Sequence, residues 1–439
     1  MYEFQLSFFW DIQVLIQRSN FYRKYFLLFS GLPLKGFPDK NHGAGCTGYS
    51  RHAILRALIV KNLEEIKSIP RLIEFLDAHP ILTELCGFAM GKIPDETQFY
   101  RFLKKTKNSS IEDIHIAINR KLLEAGILSL DTLILDSKPV MAATRENNFK
   151  NPKRNTTDKT KIPTRNPNAS LSYYSYQNIS GKKDNFIFFW GYRTHVIVSK
   201  EGIPIIEKTL PNNKTDEQVA KKLISKLKRI YGLKEDTIFI ADAAYDVRDF
   251  YNFIVNNLKG QAFIPINPRN QKADKVFGSH GCPICEANLE MTSNGSWTEG
   301  LRTRMKFRCP LKMNSTVKEK YPAGCPINHP RFLEEPCYGC TKYLDITDDP
   351  RSRVPRDAEL YKNTYKKRQT VEQYFARLGD REAEQTTHYR LRAVQNQMTI
   401  AHLSMSLVAY AAAIIIKRPD KIRCYRTFAN ETLDIKIAA

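Results

Sequence analysis

Two aspartates stand at the ends of apolar segments that are typical of buried strands. Asp136 closes the segment TLILD, and Asp242 closes the segment TIFIAD. Carboxylates that lie close together repel each other, so such a pair either shares a proton or binds a cation. Oxygen ligands favour Mg²⁺ or Mn²⁺, and two such ions about 4 Å apart activate water and stabilise the leaving oxygen of a phosphodiester. The pair therefore predicts metal-dependent chemistry at phosphorus.

The stretch TIFIADAAYDVRD also contains Asp246 and Asp249. Asp246 precedes the helical segment VRDFYNFIVNN, at a place where an N-cap residue is expected. Asp249 falls in the first turn of that helix, where a negative charge interacts favourably with the helix dipole. We therefore assign Asp242 to chemistry and the other two aspartates to helix architecture.

The third candidate carboxylate is Glu372, in the helical segment YKKRQTVEQYFARLGDR. Tyr365, Arg368 and Glu372 follow one another at intervals of three and four residues, which places them on one helix face. A guanidinium beside a metal-binding carboxylate is suited to hold a phosphate or to orient Glu372. Each acid taken singly is more often a turn or surface residue, so the catalytic prediction depends on all three together.

Six of the nine cysteines lie in one segment that precedes the Glu372 helix. They are Cys282, Cys285, Cys309, Cys325, Cys337 and Cys340. The pairs CPIC and CYGC are typical of structural Zn²⁺ sites, because a tight turn presents two thiolates to one tetrahedral ion. Two ligand sets are open: both pairs together, or the first pair with Cys309 and Cys325. The alternative is a set of reduced cysteines without metal.

The composition indicates a folded, multidomain, strongly basic protein. A chain of 439 residues is expected to form two or three domains, and its 42% hydrophobic content excludes a disordered protein. The net charge of +22 attracts polyanions and strengthens phosphate binding. We therefore expect a nucleic-acid partner.

Neither apolar stretch of the chain predicts export or a membrane span. The N-terminal FQLSFFWDIQVLI lacks the basic start and cleavage site of a signal peptide. The stretch Met398–Ile416 contains His402, Ser404 and Ser406, which favours a buried core helix. An odd number of cysteines without a secretion signal indicates a reducing compartment, so a cytoplasmic protein is expected.

Residues 1 to about 128 have helical periodicity. Ser50 and Asp95 are expected N-caps, and one helix is expected to break before Pro80. The basic open faces suit a DNA-binding or dimerising domain, and a solvated helical bundle is the equal alternative.

From Asp131 onward the pattern changes to strands and crossover helices. A polar, basic stretch from Thr144 to Ser180 predicts a long loop, and Thr215 with Gln218 matches a capping box. The order is strand, strand, strand, helix, strand, helix, strand and, after an insertion, helix. This is the order of the ribonuclease-H-like fold, in which the first and fourth strands are parallel neighbours. Asp136 would then lie beside Asp242.

The sequence thus predicts an α/β protein with a ribonuclease-H-like catalytic core, an all-α N-terminal domain and a cysteine-rich insertion. The predicted ranges are 1–128 for the helical domain, 129–275 for the first part of the core, 276–350 for the insertion, 351–420 for the helical completion of the core, and 421–439 for the tail.

Taken together, these motifs resemble the DDE transposases of bacterial insertion sequences. Tyr365, Arg368 and Glu372 match the Tyr-x2-Arg-x3-Glu-x6-Lys signature of a large subgroup, but Gly379 replaces its final Lys. The segments LILDSKPV, GYRTHVIVS and ADAAYD are similar to the first-Asp strand, the second strand and the second-Asp strand of that family. The helical head with IPDETQFYRFLKK resembles its N-terminal domain.

The resemblance implies an enzyme that binds the inverted-repeat ends of its element and uses Mg²⁺ or Mn²⁺ at Asp136, Asp242 and Glu372. It would hydrolyse a phosphodiester at each end, and the freed 3′-hydroxyl would attack target DNA. The implied partner is double-stranded DNA, with a homodimer in the complex, and the implied location is the cytoplasm at the bacterial nucleoid. The candidate DNA contacts are Lys138, Tyr365, Arg368, Arg377 and Arg381. A catalytically inactive DNA-binding derivative and a nuclease that cleaves without joining are the alternatives.

Overall fold

The computed structural model describes residues 12–40, 48–89, 92–148, 160, 162–177, 184–267, 277–300, 302–334, 339–346, 349–351, 353–379 and 384–430. Helices and strands alternate in a mixed α/β fold. The contacts divide the chain into two compact units. Unit 1 comprises Met1–Ser129, Ser137–Lys214 and Glu372–Ala439, and unit 2 comprises Leu130–Asp136 and Thr215–Val371. This division differs from the sequence-contiguous domains expected above, which stay a prediction.

In unit 1, the described residues before the first strand form seven helices. These are α1 (Ile12–Arg18), α2 (Asn20–Ser30), α3 (Arg51–Leu63), α4 (Ile69–Asp77), α5 (Pro80–Cys86), α6 (Glu96–Lys105) and α7 (Asn108–Glu124). Ser50 and Asp95 accept hydrogen bonds from backbone N–H groups in the first turns of α3 and α6, so both predicted N-caps are confirmed. The predicted break before Pro80 separates α4 from α5.

The strands of unit 1 are the second half of β1 (Thr132–Met141), β2 (Ser170–Gln177), β3 (Asp184–Ser199) and β4 (Pro204–Pro211). The long strand β3 pairs antiparallel with β2 along its first half and with β4 along its second half. The prediction of one uninterrupted loop from Thr144 to Ser180 is therefore wrong, because β2 lies inside it. Residues 149–159, 161 and 178–180 of that segment lie outside the described residues.

Helix α15 (Leu391–Tyr410) forms the centre of unit 1 and packs against α3, α6, α7 and β4. Among the described residues, it is the one helix long and apolar enough to cross a membrane, together with the π-helical turn Ala411–Ile415 that continues it. Of its most apolar window, 83% is buried inside the protein. A core helix passes the same test of length and composition, and the burial agrees with the expected core helix.

Unit 2 contains the parallel part of the sheet. The first half of β1 pairs parallel with β5 (Ile238–Ile240), and β5 pairs parallel with β6 (Gln261–Phe263). The predicted parallel neighbours are therefore confirmed. Helix α8 (Asp216–Tyr231) precedes β5, and α9 (Arg248–Asn252) lies in the connection from β5 to β6. Thr215 occupies the N-cap position of α8 but makes no side-chain capping hydrogen bond, so the predicted capping box is not formed.

The remaining part of unit 2 carries a small antiparallel sheet of β7 (Thr292–Glu299), β8 (Arg302–Arg308) and β9 (Thr341–Asp345). Three short helices follow β8, namely α10 (Pro310–Met313), α11 (Ser315–Lys320) and α12 (Pro330–Leu333). The helix predicted around Glu372 begins at Tyr365, which is the last residue of α13 (Glu359–Tyr365). It continues through a 3-10 turn (Lys366–Arg368) into α14 (Gln369–Gly379).

Candidate active site

Of the two predicted aspartates in unit 2, Asp136 lies on β1 and Asp242 lies two residues beyond the end of the neighbouring parallel strand β5. The observed register pairs Ile134 of β1 with Ile240 of β5. Asp136 and Asp242 each follow this last pair by two residues, so both come at the carboxyl ends of the paired segments. Asp136 lies within β1, at the level where β5 stops. The parallel pairing therefore brings two residues that are far apart in the sequence to the same edge of the sheet.

Each aspartate is held by a contact of its own. The Asp136 carboxylate, with 14% of its side chain exposed, forms an ion pair with Arg368, whose Nη2 lies 3.3 Å from Asp136 Oδ2. Asp242 Oδ1 accepts a hydrogen bond of 2.9 Å from the backbone N–H of Ala244 and caps a short 3-10 turn. Asp242 therefore caps a turn, which is the common role of an aspartate after a strand. Its carboxylate is half-buried.

Glu372 lies on α14 in unit 1, where it is exposed. The helix is fixed by the buried hydroxyl of Tyr374, which hydrogen-bonds to His402 Nδ1 on α15. The opposite ring nitrogen of His402 lies 3.0 Å from the hydroxyl of Thr194 on β3. Burial, with a smaller contribution from the charge of His115, lowers the pKa of His402 to about 3. A neutral imidazole therefore links the helix of Glu372 to the sheet of unit 1.

Two predicted DNA contacts in unit 1 already have protein partners. Lys138 forms an ion pair of 2.6 Å with Glu384, and Arg377 donates a hydrogen bond of 3.2 Å to the carbonyl of Gly202. A Cβ added to Gly379 would lie 3.0 Å from Lys138 Nζ. A lysine ammonium therefore lies beside the position where the signature has its final Lys.

The other two predicted DNA contacts are Tyr365 and Arg381. In unit 2, the ring of Tyr365 stacks on that of Tyr361, with centroids 5.7 Å apart. Arg381 lies outside the described residues.

The predicted N-cap role of Asp246 is wrong. Val247 occupies the N-cap position of α9, and the Asp246 side chain is fully buried. Its two oxygens accept hydrogen bonds of 2.6 Å from Nε and Nη2 of Arg351. The bidentate pair lies outside the reach of local sequence reasoning because 105 residues separate the partners. Asp249 is in the first turn of α9, as predicted.

The cysteine-rich segment brings some of its thiols together. The Cys340 thiol is hydrogen-bonded to those of Cys309 and Cys285, and Cys325 lines the same small cavity. Cys282 contacts Asp357 instead. Burial, followed by the neighbouring Cys309 and Cys285, raises the pKa of Cys340 to about 12.

The described cysteines are free thiols, and Cys337 lies outside the described residues. Within the described ranges, no group of three or more His, Cys, Asp or Glu side chains is arranged to hold a metal ion. That finding covers both the acidic site and the cysteines, so neither predicted metal site is assembled in the described part of the chain.

A mixed α/β fold with two aspartates at the same edge of neighbouring parallel strands defines a candidate site for phosphodiester chemistry. The sequence model of the family described as Transposase DDE domain matches residues 130–407, which is more than half of the chain. The chain belongs to this family of DDE transposases. A second family model, described as Transposase domain (DUF772), matches residues 11–105.

The chain is also similar to one transposase by sequence and to two solved transposase structures. A protein of Brucella ovis named for the transposase of insertion sequence element IS6501 is 37% identical over 84 residues, which are 19% of this chain. The chain spans 60% of the length of that relative. A piggyBac transposase synaptic complex with hairpin DNA aligns with 93% of this chain and 78% of its own, at a TM-score of 0.36 and 9% identity. A Mos1 transposase paired-end complex aligns with 51% of this chain and 61% of its own, at a TM-score of 0.17 and 17% identity.

Proposed function

We propose that this protein is a DNA transposase that binds the inverted-repeat ends of an insertion sequence, cleaves a phosphodiester at each end and joins the freed ends to target DNA. The observation that supports the proposal is the match of residues 130–407 to the Transposase DDE domain, within which the segments that end in Asp136 and Asp242 are paired in parallel. The proposed architecture is a ribonuclease-H-like core with an all-α N-terminal domain and a cysteine-rich insertion.

The proposed metal ligands are Asp136, Asp242 and Glu372, and the aspartates fit a divalent cation by their chemistry. Both supply hard oxygen donors, and Asp136 already attracts a cationic group, the guanidinium of Arg368. When bound, Mg²⁺ or Mn²⁺ would supply Lewis-acid activation of water and stabilisation of the leaving oxygen. Glu372 is the third ligand on the strength of its place in the family signature.

Arg368 is proposed to position the Asp136 carboxylate and to bind a DNA phosphate. The ion pair between them holds the carboxylate in one orientation, and the planar geometry of a guanidinium matches that of a phosphate. A loss of Arg368 would therefore weaken both the site and the DNA contact.

Lys138 is proposed to supply the positive charge that the signature places at position 379. Its ammonium lies beside Gly379, and its partner Glu384 is 64% exposed. An exposed ion pair is weak, so a DNA phosphate can compete with Glu384 for the ammonium. Tyr365, Arg377 and Arg381 complete the proposed DNA contacts. A homodimer on paired ends and a location in the bacterial cytoplasm, at the nucleoid, belong to the same proposal.

A structural Zn²⁺ ion is proposed for the cysteine-rich segment, with Cys285, Cys309 and Cys340 among its ligands. What supports this choice is that the Cys340 thiol is hydrogen-bonded to those of Cys309 and Cys285, together with the chemistry of CxxC pairs. Metal analysis of the protein purified without chelators tests it. One zinc per chain, lost in Cys309→Ser, is expected, and a zinc-free protein of normal stability would refute the proposal.

The experiment supplies paired DNA ends taken from the sequences that flank the coding region, with Mg²⁺, and scores cleavage and joining separately. Asp242→Asn should abolish both reactions and leave DNA binding intact, because the amide oxygen still accepts the Ala244 N–H. The matched control is Asp249→Asn, an exposed aspartate on α9, which should retain activity.

Each other outcome has a defined meaning. Cleavage by the Asp242→Asn protein would refute the proposed site. Binding without cleavage by the unaltered protein would identify an inactive derivative, and cleavage without joining would identify a nuclease.

A further inference from the structure

The β7–β8–β9 sheet has one buried face and one exposed face. On β8, Met305 and Phe307 point into a small core that contains Met291 and Ile346. Residues on a strand alternate between faces, so the neighbours of Met305 and Phe307 lie on the opposite side. That side is covered by none of the described core residues of this segment.

The exposed face is basic along its central strand. Its members follow from the observed register, in which each residue of β8 shares a face with its partners on the two outer strands. They are Thr292, Trp297 and Glu299 on β7, Arg302, Arg304, Lys306 and Arg308 on β8, and Thr341, Tyr343 and Asp345 on β9. Four basic and two acidic side chains leave an excess of two positive charges.

Two aromatic rings lie on this basic face. Trp297 and Tyr343 are 39% and 55% exposed, and their rings meet edge to face with centroids 5.5 Å apart. Trp297 pairs with Arg304 and Tyr343 pairs with Lys306, so rings from the two outer strands meet over the central strand. An edge-to-face contact leaves broad ring surface open to solvent.

We infer that the exposed face of the β7–β8–β9 sheet binds a single-stranded DNA segment. The basic side chains of β8 contact its phosphates, and Trp297 and Tyr343 stack on its bases. The inference rests on the proposed function, which generates DNA ends at the site of cleavage. The positive charge of the face favours a polyanion, and exposed rings beside a basic strand are suited to bases whose faces are not covered by a neighbouring base pair.

This arrangement of basic residues and rings is expected to bind single strands more tightly than duplex DNA. Phosphates are present in both, so the basic residues contribute to both affinities. Ring stacking needs an open base face, which a duplex offers at its ends alone. Removal of the rings should therefore reduce the affinity for single strands selectively.

The test measures binding of fluorescein-labelled oligo(dT) of 15 nucleotides and of a 15-base-pair duplex to the full-length protein. Metal is omitted, and all variants carry Asp242→Asn. The variants are Trp297→Ala and Tyr343→Ala. The matched control is Tyr321→Ala, an exposed tyrosine of the same segment that lies outside the sheet.

Each ring variant should weaken oligo(dT) binding by about 5- to 100-fold, with the duplex affinity and the control unchanged within twofold. Trp297→Phe should largely restore oligo(dT) binding, because a stacking ring is retained. In addition, oligo(dT) should quench the tryptophan fluorescence of the unaltered protein, and the quenching should disappear in Trp297→Phe.

Unchanged oligo(dT) affinity in both ring variants would overturn the inference. An equal loss for oligo(dT) and duplex would also overturn it, since the rings would then act through folding or charge. The assay needs no catalysis, so failure of the proposed function appears as absent cleavage with oligo(dT) binding retained. If the inference about this face is wrong, the unaltered protein cleaves DNA but the ring variants bind oligo(dT) as tightly as their parent.

Discussion

Replacement of Asp246 by Asn should destabilise unit 2 strongly, although the change is nearly isosteric. The carboxylate accepts two hydrogen bonds from Arg351, one of 3.2 Å from the hydroxyl of Tyr251 and one of 2.8 Å from the backbone N–H of Asn267. Each of the two carboxylate oxygens therefore accepts two hydrogen bonds. An amide nitrogen at this place would direct its own hydrogens at one of them.

The expected loss follows from the burial of the pair. The Asp246 side chain is fully buried and that of Arg351 is 25% exposed. The hydrogen bond from Arg351 to Asp246 raises the pKa of the guanidinium, which stays charged after the substitution. Removal of one partner from a buried ion pair costs about 3–5 kcal/mol. At ~2–4 °C per kcal/mol for a unit of 150–250 residues, the midpoint of thermal unfolding should fall by about 6–20 °C.

The assay is thermal unfolding followed by circular dichroism, with Asp249→Asn as the matched control. Asp249 is exposed in the first turn of α9, so its replacement should cost at most ~1 kcal/mol. The double variant Asp246→Asn with Arg351→Gln should be more stable than Asp246→Asn alone, because no unpaired charge remains. Equal midpoints for Asp246→Asn and Asp249→Asn would refute the reasoning and restore a capping role for Asp246.

Three further predictions concern unit 1 and the cysteine-rich segment, each measured by urea unfolding. Burial lowers the pKa of His402 from 6.5 to about 3, so its stabilising contribution is complete above pH 6.5. That contribution is lost as the pH falls toward 3, at about 1.4 kcal/mol per pH unit, and His402→Gln should flatten this decline. Glu64 accepts hydrogen bonds from a lysine ammonium at 2.8 Å and from two tyrosine hydroxyls. Glu64→Gln should therefore cost about 1–3 kcal/mol, whereas Glu65→Gln, at an exposed position, should change stability by less than ~0.5 kcal/mol. Gly339 has a φ of +67° and would place an added Cβ 2.4 Å from Cys309 Cβ, so Gly339→Ala should cost about 1–3 kcal/mol. A pH profile with unchanged slope, a neutral Glu64→Gln or a neutral Gly339→Ala would each contradict its own prediction.

Local signals in the sequence predicted much of the secondary structure. Ser50 and Asp95 were recognisable as N-caps because a capping side chain bonds to an N–H within three residues. The parallel pairing of the two aspartate-bearing strands was also predictable. Strand order in an α/β protein follows from the order of its elements and the handedness of their connections.

Strand β2 was missed because its sequence, SLSYYSYQ, is polar and has no apolar alternation. Its identity as a strand comes from its pairing with β3, which supplies the backbone hydrogen bonds along eight residues. A polar segment of this kind becomes a strand when a partner edge is available, and the partner is a property of the fold.

The sequence by itself determined the class of this protein: its fold class, its basic charge, and the acidic residues placed on strands and a helix. Only the tertiary structure decided which side chains are partners. It paired Asp136 with Arg368, assigned Asp246 to Arg351 and gathered Cys285, Cys309 and Cys340. The physical reason is distance along the chain. Helix caps and strand periodicity are set by neighbours within a few residues. The partners of these charged side chains and thiols lie more than fifty residues away in the sequence, except for the pair Cys309 and Cys340.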